Sequence, residues 1–472
     1  MDTPVLMPPI AGTPDIRTLR ETLRGQLLMP EDRGYDSTRG VWNGMIDRKP
    51  AMIARCLGAA DVAAAVTFAR THGLAISVRG GGHNSAGYGV CQGGMMIDLA
   101  GMRAVRVDPQ ARRAWVQGGA TWADVDGETT AYGLATPGGL ISATGVGGLS
   151  LSGGIGWLRG TSGLCVDNIL SADVVTADGH LLRASADSNP DLFWAIRGGG
   201  GNFGVVTMFE FRLQPIAPEM RFCAPAYPES RAAEVLRAWR DFVVAAPENI
   251  GSLAEFSTIP DDPGYPAEAR GQRVLALPTV YDGPAEEGER VLAPLLGFGE
   301  MVADFSCRLP YRNIQRLYDA QFPKGRDRSY FKSLFVPALG DALIDQFVAG
   351  VAERSSPLTL ASAWYFGRAV RDVPADATAF GDRSQPWLLS FDAIWSRAED
   401  DAANIGWART QWQRTRPHSN GRAYLNFLSG HDDTPQVMQD GVGAATYQRL
   451  ARIKRSYDPT NLFRMNQNIP PA

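Results

Sequence analysis

The residues best suited to do chemistry stand together at Arg79, Gly80, Gly81, Gly82, His83 and Asn84. An apolar run over residues 74–78 leads into them and reads as a short buried strand. Three successive glycines clear every side chain from one backbone bend. They also permit positive φ, so neighbouring amide N–H groups can converge on one anion. A diphosphate suits such a nest. His83 stands at its lip, where a side chain reaches the same ligand. A tight turn with a hydrogen-bonded histidine would use the same residue types, and these six positions alone leave both readings open.

Two further glycine-rich stretches extend the pattern. Residues 136–157 include Thr144, Gly145, Gly147, Gly148, Gly154 and Gly156. So many glycines disfavour a helix or strand interior. A backbone wrapped against an extended ligand explains them better than a series of surface turns. Asp167 and Asn168 follow. Residues 197–213 then contain a formal GxGxxG at Gly199, Gly201 and Gly204, with Asn202 inside it. A Rossmann site needs a strand before that motif and a helix after it. Here residues 205–213, including Val206, are β-branched and aromatic and read as a strand, so a nicotinamide site of that type is rejected.

The rest of the chain has to position these loops. Its 472 residues exceed one ordinary core, so two or three domains are expected. Hydrophobic content of 44% and charged content of 20% are those of a soluble globular protein. A net charge of −4, with Lys and Arg dispersed, offers no field for nucleic acid. No apolar stretch reaches membrane-spanning length, and the N-terminus has no basic region followed by an apolar core. A cytoplasmic location is therefore expected. The five cysteines are scattered without CxxC or metal-ligand spacing, so buried free thiols and no metal site are expected.

Periodicity predicts a helix over 61–72, short strands over 95–99, 104–107 and 113–117, and a helix over 121–132. Strands over 170–176 and 181–184 flank Asp178-Gly179, a hairpin signal. A short helix is expected over 191–196. After Pro215 the glycine clusters stop. Helices are expected over 231–245, 285–296, 341–354 and 401–414, and β-runs over 274–281, 358–366 and 387–395. This is an α+β pattern with an antiparallel sheet. Its aromatic content suits a pocket for an apolar or aromatic substrate, although for any single aromatic a place in the core is the simpler reading.

The RGGGH stretch resembles the covalent-flavin motif of FAD-linked oxidases of the berberine-bridge-enzyme and 6-hydroxy-D-nicotine oxidase type, within the vanillyl-alcohol-oxidase-like fold group. The resemblance runs from residues 39–53 to residues 457–471. It implies a two-part FAD-binding domain plus a substrate domain whose antiparallel sheet is flanked by helices. The parts are residues 1–215, 216–420 and 421–472, the last returning to the FAD domain. It implies FAD bonded through His83 to a methyl group of the flavin ring. Many members carry a second link from a cysteine at a position occupied here by Ile141, so a single bond is expected. The resemblance also assigns Arg79, Asn84, the two glycine segments, Asp167, Asn168, Gly201, Asn202, Gly204 and Val206 to the cofactor. Residues 79–84 and the glycines of 145–156 are expected to wrap the diphosphate, with Gly81 letting backbone approach ligand. Asn426, Asn466 and Asn468 are expected near the flavin.

Tyr424, in the AYLNF segment, matches a tyrosine that faces the flavin in several members and is the expected base. A free tyrosine titrates near 10, so it would need nearby positive charge or donors to act at neutral pH. Trp364, Tyr365 and Trp395 are further pocket candidates. Ser362 stands where some relatives carry a carboxylate, which weakens the case for a carboxylate base there. His418 and His431 read as surface residues. The expected function is hydride transfer from a small organic or secondary-metabolite substrate to flavin, with dioxygen as acceptor and hydrogen peroxide released. A polyketide-type tailoring oxygenase or cyclase is an alternative, and so is a dehydrogenase using another acceptor. Thr144 matches a position that governs dioxygen access, and threonine does not settle it. A non-catalytic ligand-binding protein on the same fold is a further possibility. The substrate and the oligomeric state are not legible.

Overall fold

A computed structural model describes residues 5–7, 15–381, 383–430 and 435–472. In the first half, strands Gln26–Leu28, Met52–Arg55, Met95–Asp98 and Ile76–Arg79 lie side by side in that order, the last three parallel. Helix Ala59–Thr71 packs on them and is buried from Asp61 to Ala69. Its alanines and valines share one core with Ile97 of this sheet and with Val175 and Val205 of the next. A helix held between two layers must be apolar nearly all round, and this one is. The second sheet is antiparallel. Its order is Val5–Met7, Leu181–Ser185, Ile169–Val175, Val205–Arg212, Arg113–Gln117 and Val105–Asp108. Val205–Arg212 directly follows the GxGxxG, as its residue types predicted.

Two expectations fail locally. Residues Val146–Leu151 form a short helix despite their glycines. A Cβ at Gly147 would lie 2.8 Å from the Gly118 carbonyl, so tertiary approach overrides the low helix propensity. The run 274–281 is two strands, Arg273–Ala276 and Thr279–Tyr281. Pro278 separates them, because it has no N–H to give to a ladder.

The second half is built on a ten-stranded antiparallel sheet. Leu360–Tyr365 lies between Ile250–Thr258 and Trp387–Trp395, with Arg328–Val336 beyond. Side chains alternate between the two faces. Phe256, Ala361, Ala363, Leu389, Phe391 and Tyr330 pack against helices Ala232–Ala245, Asp341–Ala352 and Asp401–Thr415. Leu253, Trp364, Leu388 and Phe335 face the other way, toward Trp157 and Tyr424.

The chain then turns back. Leu425, Leu428, Leu450, Ile453 and Ile469 enter the core that holds Trp194 and Phe209 of the first half. Helix Ala444–Tyr457 carries Lys454, whose Nζ donates to Asp458 Oδ2 (2.5 Å), the Asn202 carbonyl (2.7 Å) and the Phe463 carbonyl (3.0 Å). This buried pair ties the returning segment to the GxGxxG loop. His418 is exposed at the end of the Arg416–His418 turn, and His431 lies outside the described residues. Among the described residues no helix is long and apolar enough to cross a membrane, and no group of side chains has metal-ligand placement. Four cysteines are buried and free, and Cys307 is half-buried and free.

Candidate active site

Strand Ile76–Arg79 delivers the chain to one large cavity between the two halves. The Arg79 guanidinium turns away from it. Nη2 and Nε each lie 2.9 Å from Asp98 Oδ1, and Nη1 donates to the carbonyls of Thr38 and Gly40. Arg79 lines the cavity, and its guanidinium also clamps the loop at residues 38–40. Gly82 has φ +72°, the left-handed conformation the nest requires. Gly81 is glycine for a different reason from the expected one. A Cβ there would lie 2.3 Å from Gly145 N, and a Cβ at Gly145 would lie 2.2 Å from Gly81 N. The two loops touch backbone to backbone, and the chain itself occupies the space. Gly148 is the contrasting case: it lines the cavity, and a Cβ would meet nothing within 4 Å.

The cavity gathers Gly80, Gly81, Gly82, His83, Asn84, Thr144, Gly145, Gly147, Gly148, Gly201, Gly204, Val206, Asn426 and Asn466 from five separate stretches. Ile141 lines it as well. His83 stacks on Trp42, with ring centroids 5.3 Å apart and planes 16° apart. Burial holds the His83 imidazole down to about 4, so its ring is neutral at physiological pH. Asn466 donates through Nδ2 to the Phe463 carbonyl at 3.2 Å, while its buried Oδ1 has no partner.

Other expected cofactor residues stand outside the cavity and hold its frame. The Gly154 N–H donates to the Tyr424 hydroxyl at 3.1 Å. A Cβ at Gly156 would lie 2.7 Å from the Gly138 carbonyl. Asp167 pairs with Arg383 at 2.6 Å, joining the first half to the second. Asn168 donates to the carbonyls of Ser162 and Leu164. Asn202 clamps the returning tail: Nδ2 donates to the Gly199 and Gln467 carbonyls, and Oδ1 accepts from the Ile469 N–H at 3.0 Å. Asn468 is absent from the cavity wall, and its buried Oδ1 has no partner.

On the sheet side only one of the three expected aromatics reaches the cavity. Trp364 lines it. Tyr365 is one residue along, hence on the opposite face, packed on Trp387 with centroids 4.9 Å apart. Trp395 lies in the helix-side core and donates Nε1–H to Asp401. Residues not singled out in the sequence complete the wall: Tyr318, Phe331 and Phe427, with two carboxylates, Glu255 and Asp392. Asp392 sat in a run read as a strand, and its charge amid WLLSFDAIW was the available signal. Glu255 lies on Ile250–Thr258, a strand not recognised from sequence.

Tyr424 is buried on the cavity wall. Its oxygen accepts from the Gly154 N–H and, at 2.9 Å, from Asn426 Nδ2. Burial pushes its hydroxyl up to about 12, although both donors pull the other way. The phenol is therefore protonated at neutral pH. Its oxygen already accepts twice, so its remaining hydrogen-bonding capacity is the O–H donor. Among the described residues the groups that shift it are burial, the Asn426 amide, the backbone N–H groups of Gly154 and Ile155, and Cys165, with no cation among them.

A family model described as an FAD binding domain matches residues 50–185, and one described as berberine and berberine like matches residues 442–470. The chain is 32% identical over 478 residues to (R)-6-hydroxynicotine oxidase of Paenarthrobacter nicotinovorans, covering 95% of this chain and 97% of that one. It is 29% identical to the xylooligosaccharide oxidase of Thermothelomyces thermophilus, covering 91% and 89%. The crystal structure of 6-hydroxy-D-nicotine oxidase from Arthrobacter nicotinovorans superposes with a TM-score of 0.82 at 30% identity, over 95% and 98% of the two chains. BBE-like 1 of Physcomitrella patens shares the fold at a TM-score of 0.87 and 22% identity, over 97% and 100%. The chain belongs to the berberine-bridge-like family of FAD-linked oxidoreductases, and its fold is the FAD-binding type of that group. It is an FAD-linked oxidoreductase. The residues present fit FAD: glycine backbone walls one end of the cavity, space opens beyond Gly148, and Asn466 Oδ1 is a buried acceptor in want of a donor.

Proposed function

We propose that this enzyme is an oxidase that carries FAD bonded to His83 alone and oxidises a small organic molecule held between the flavin and the sheet wall. The observation that carries this reading is the position of neutral His83 on a single cavity. That cavity runs from backbone-only walls at Gly80–Gly82 and Gly145–Gly148 to side chains of the antiparallel sheet. A neutral imidazole has a ring-nitrogen lone pair free to form the attachment, and Trp42 fixes the ring plane. Ile141, at the cavity wall, has no atom able to make a second link. Bound FAD supplies a two-electron acceptor for the substrate's hydride, and dioxygen is the proposed final acceptor.

The chain's own residues then have three tasks. Gly147, Gly148 and Asn466 hold the cofactor, through backbone and through the free Asn466 Oδ1. Trp364, Phe331 and Phe427 exclude water from the substrate side. Tyr424 and Asn426 present a hydrogen-bond donor from the rim between the two halves. The 1–215, 216–420 and 421–472 division is proposed on the same ground, since buried residues of the last segment share a core with the first. The test has two parts. Unfolded protein should stay yellow, with the flavin mass on the His83 peptide and none on a cysteine peptide. Anaerobic addition of 6-hydroxynicotine, xylobiose and a panel of alcohols, amines and phenols should bleach the flavin for at least one compound, and air should restore the colour with hydrogen peroxide formed. Colourless unfolded protein refutes the covalent link, and bleaching that air does not reverse points to another electron acceptor.

A further inference from the structure

Glu255 and Asp392 lie on strands Ile250–Thr258 and Trp387–Trp395, which flank Leu360–Tyr365 on either side. Glu255 is in register with Ser362, and Asp392 with Leu360, so the two carboxylates stand diagonally across one strand on the same face. Both line the cavity that holds His83. They are 8% and 7% exposed. Among the described residues neither forms an ion pair. The contacts they do have are sparse. The Tyr318 hydroxyl lies 3.4 Å from Glu255 Oε1, and Ser390 Oγ donates to Asp392 Oδ2 at 3.0 Å. Asp392 Oδ1 is buried with no partner at all.

Two uncompensated carboxylates on a buried wall are costly unless they are neutralised. Among the described residues no lysine or arginine is ion-paired with either carboxylate. Lys332, next in sequence to Phe331 of the wall, lies over Tyr330 and Trp412 on the helix side of the sheet. Arg159 stacks on Trp364 and spends its donors on the carbonyls of Gly156, Tyr365 and Ser252. The other titratable groups on the cavity wall are Arg79, whose guanidinium is engaged by Asp98 and the carbonyls of Thr38 and Gly40, and Tyr88, Tyr318, Tyr424 and His83, the last neutral at physiological pH. What is left is a proton.

Resting on the oxidase reading above, we propose that Glu255 and Asp392 hold one proton between them through the charge each feels from the other, and together form the substrate's acid–base pair, taking the O–H or N–H proton of an alcohol, phenol or amine as the adjacent carbon is oxidised. Asp392 Oδ1 is the atom free to accept it. The proton passes to the ionised member of the pair, and the electron pair of the broken O–H or N–H bond becomes part of the new C=O or C=N bond. The hydride leaves carbon with its two electrons for the oxidant the family's activity provides. Burial pushes Asp392 up to about 7 and, with the charge of Asp392 added, Glu255 up to about 8. Near neutral pH the pair therefore carries about one negative charge, poised as a general base should be.

The pair is testable without a substrate. Infrared difference spectra of the flavin-loaded protein, wild type minus Glu255→Gln/Asp392→Asn, should contain a carboxylic-acid C=O stretch that titrates away across pH 7–8. Asp126, also pushed up to about 7 by burial but on the helix Trp122–Thr129 away from the cavity, cancels in that difference. No such band at pH 6.5 overturns the shared proton. With any compound that bleaches the flavin, the anaerobic reduction rate should rise with pH through the same range. The double variant should lose at least about a hundredfold, the loss typical for removing a general base. Asp392→Asn alone removes a like charge from Glu255, so its rising limb should move to lower pH, which a purely structural role would not produce. A double variant that keeps wild-type rate and pH profile overturns the catalytic role while leaving the oxidase reading intact. A wild type that no compound bleaches would instead count against the oxidase reading.

Discussion

A single methyl group at Gly81 separates two explanations for the glycine nest. Its Cβ would lie 2.3 Å from Gly145 N and 2.6 Å from Gly145 Cα. Comfortable carbon contacts begin near 3.5 Å, so the two loops must part by about 1 Å. Overpacking of this kind costs about 1–3 kcal/mol. For a protein of this size that corresponds to a drop in Tm of about 1–3 °C. If the chain itself demands glycine, flavin-free protein from riboflavin-limited cells should show the whole drop. Gly145→Ala should show the same drop, and the double variant less than the sum, because both methyl groups open one gap. Gly148→Ala should behave in the opposite way. Its Cβ meets no protein atom, and in a helix alanine is favoured over glycine by up to about 1 kcal/mol. Flavin-free stability should hold or rise while flavin content, read from the visible to 280 nm absorbance ratio, falls. Wild-type Tm in flavin-free Gly81→Ala would refute the backbone-contact argument. Full flavin content in Gly148→Ala would refute the placement of the cofactor wall.

Two further perturbations follow from named contacts. Tyr424→Phe leaves the Gly154 N–H and Asn426 Nδ2 without their shared acceptor, so the melt should show a loss of about 1–3 kcal/mol. Flavin reduction should slow about tenfold, the value of one lost hydrogen bond, with the pH limb unmoved; a limb that disappears would make Tyr424 the base after all. Lys454→Met strands the buried Asp458 and two carbonyl acceptors, and should destabilise the fold by about 3–5 kcal/mol in denaturant titration. A loss under about 1 kcal/mol would mean that the pair does not hold the returning segment.

Much of the frame was legible because local periodicity specifies it. The helix Ala59–Thr71, the hairpin around Asp178-Gly179 and the strand Trp387–Trp395 stand within a residue or two of their expected places. The glycines at 80–82 and His83 all line the cavity, and glycine density with a histidine at its edge drew attention to them in the sequence. What tertiary structure alone decided was which side chains meet. Alternation sends Trp364 into the cavity and Tyr365 out of it, and no local signal fixes the phase of a strand whose two faces are both buried. Gly81 announced a close approach, but only the packed loops show that the partner is Gly145. Asn202 has a type suited to ligand contact, yet the Ile469 amide and the Gly199 and Gln467 carbonyls engage it away from the cavity wall. Glu255 and Asp392 are 137 positions apart on separate strands, and composition treats each as an ordinary surface charge. Their chemistry exists because the sheet places both on one dry wall without a counter-ion, and burial there depends on residues remote in sequence.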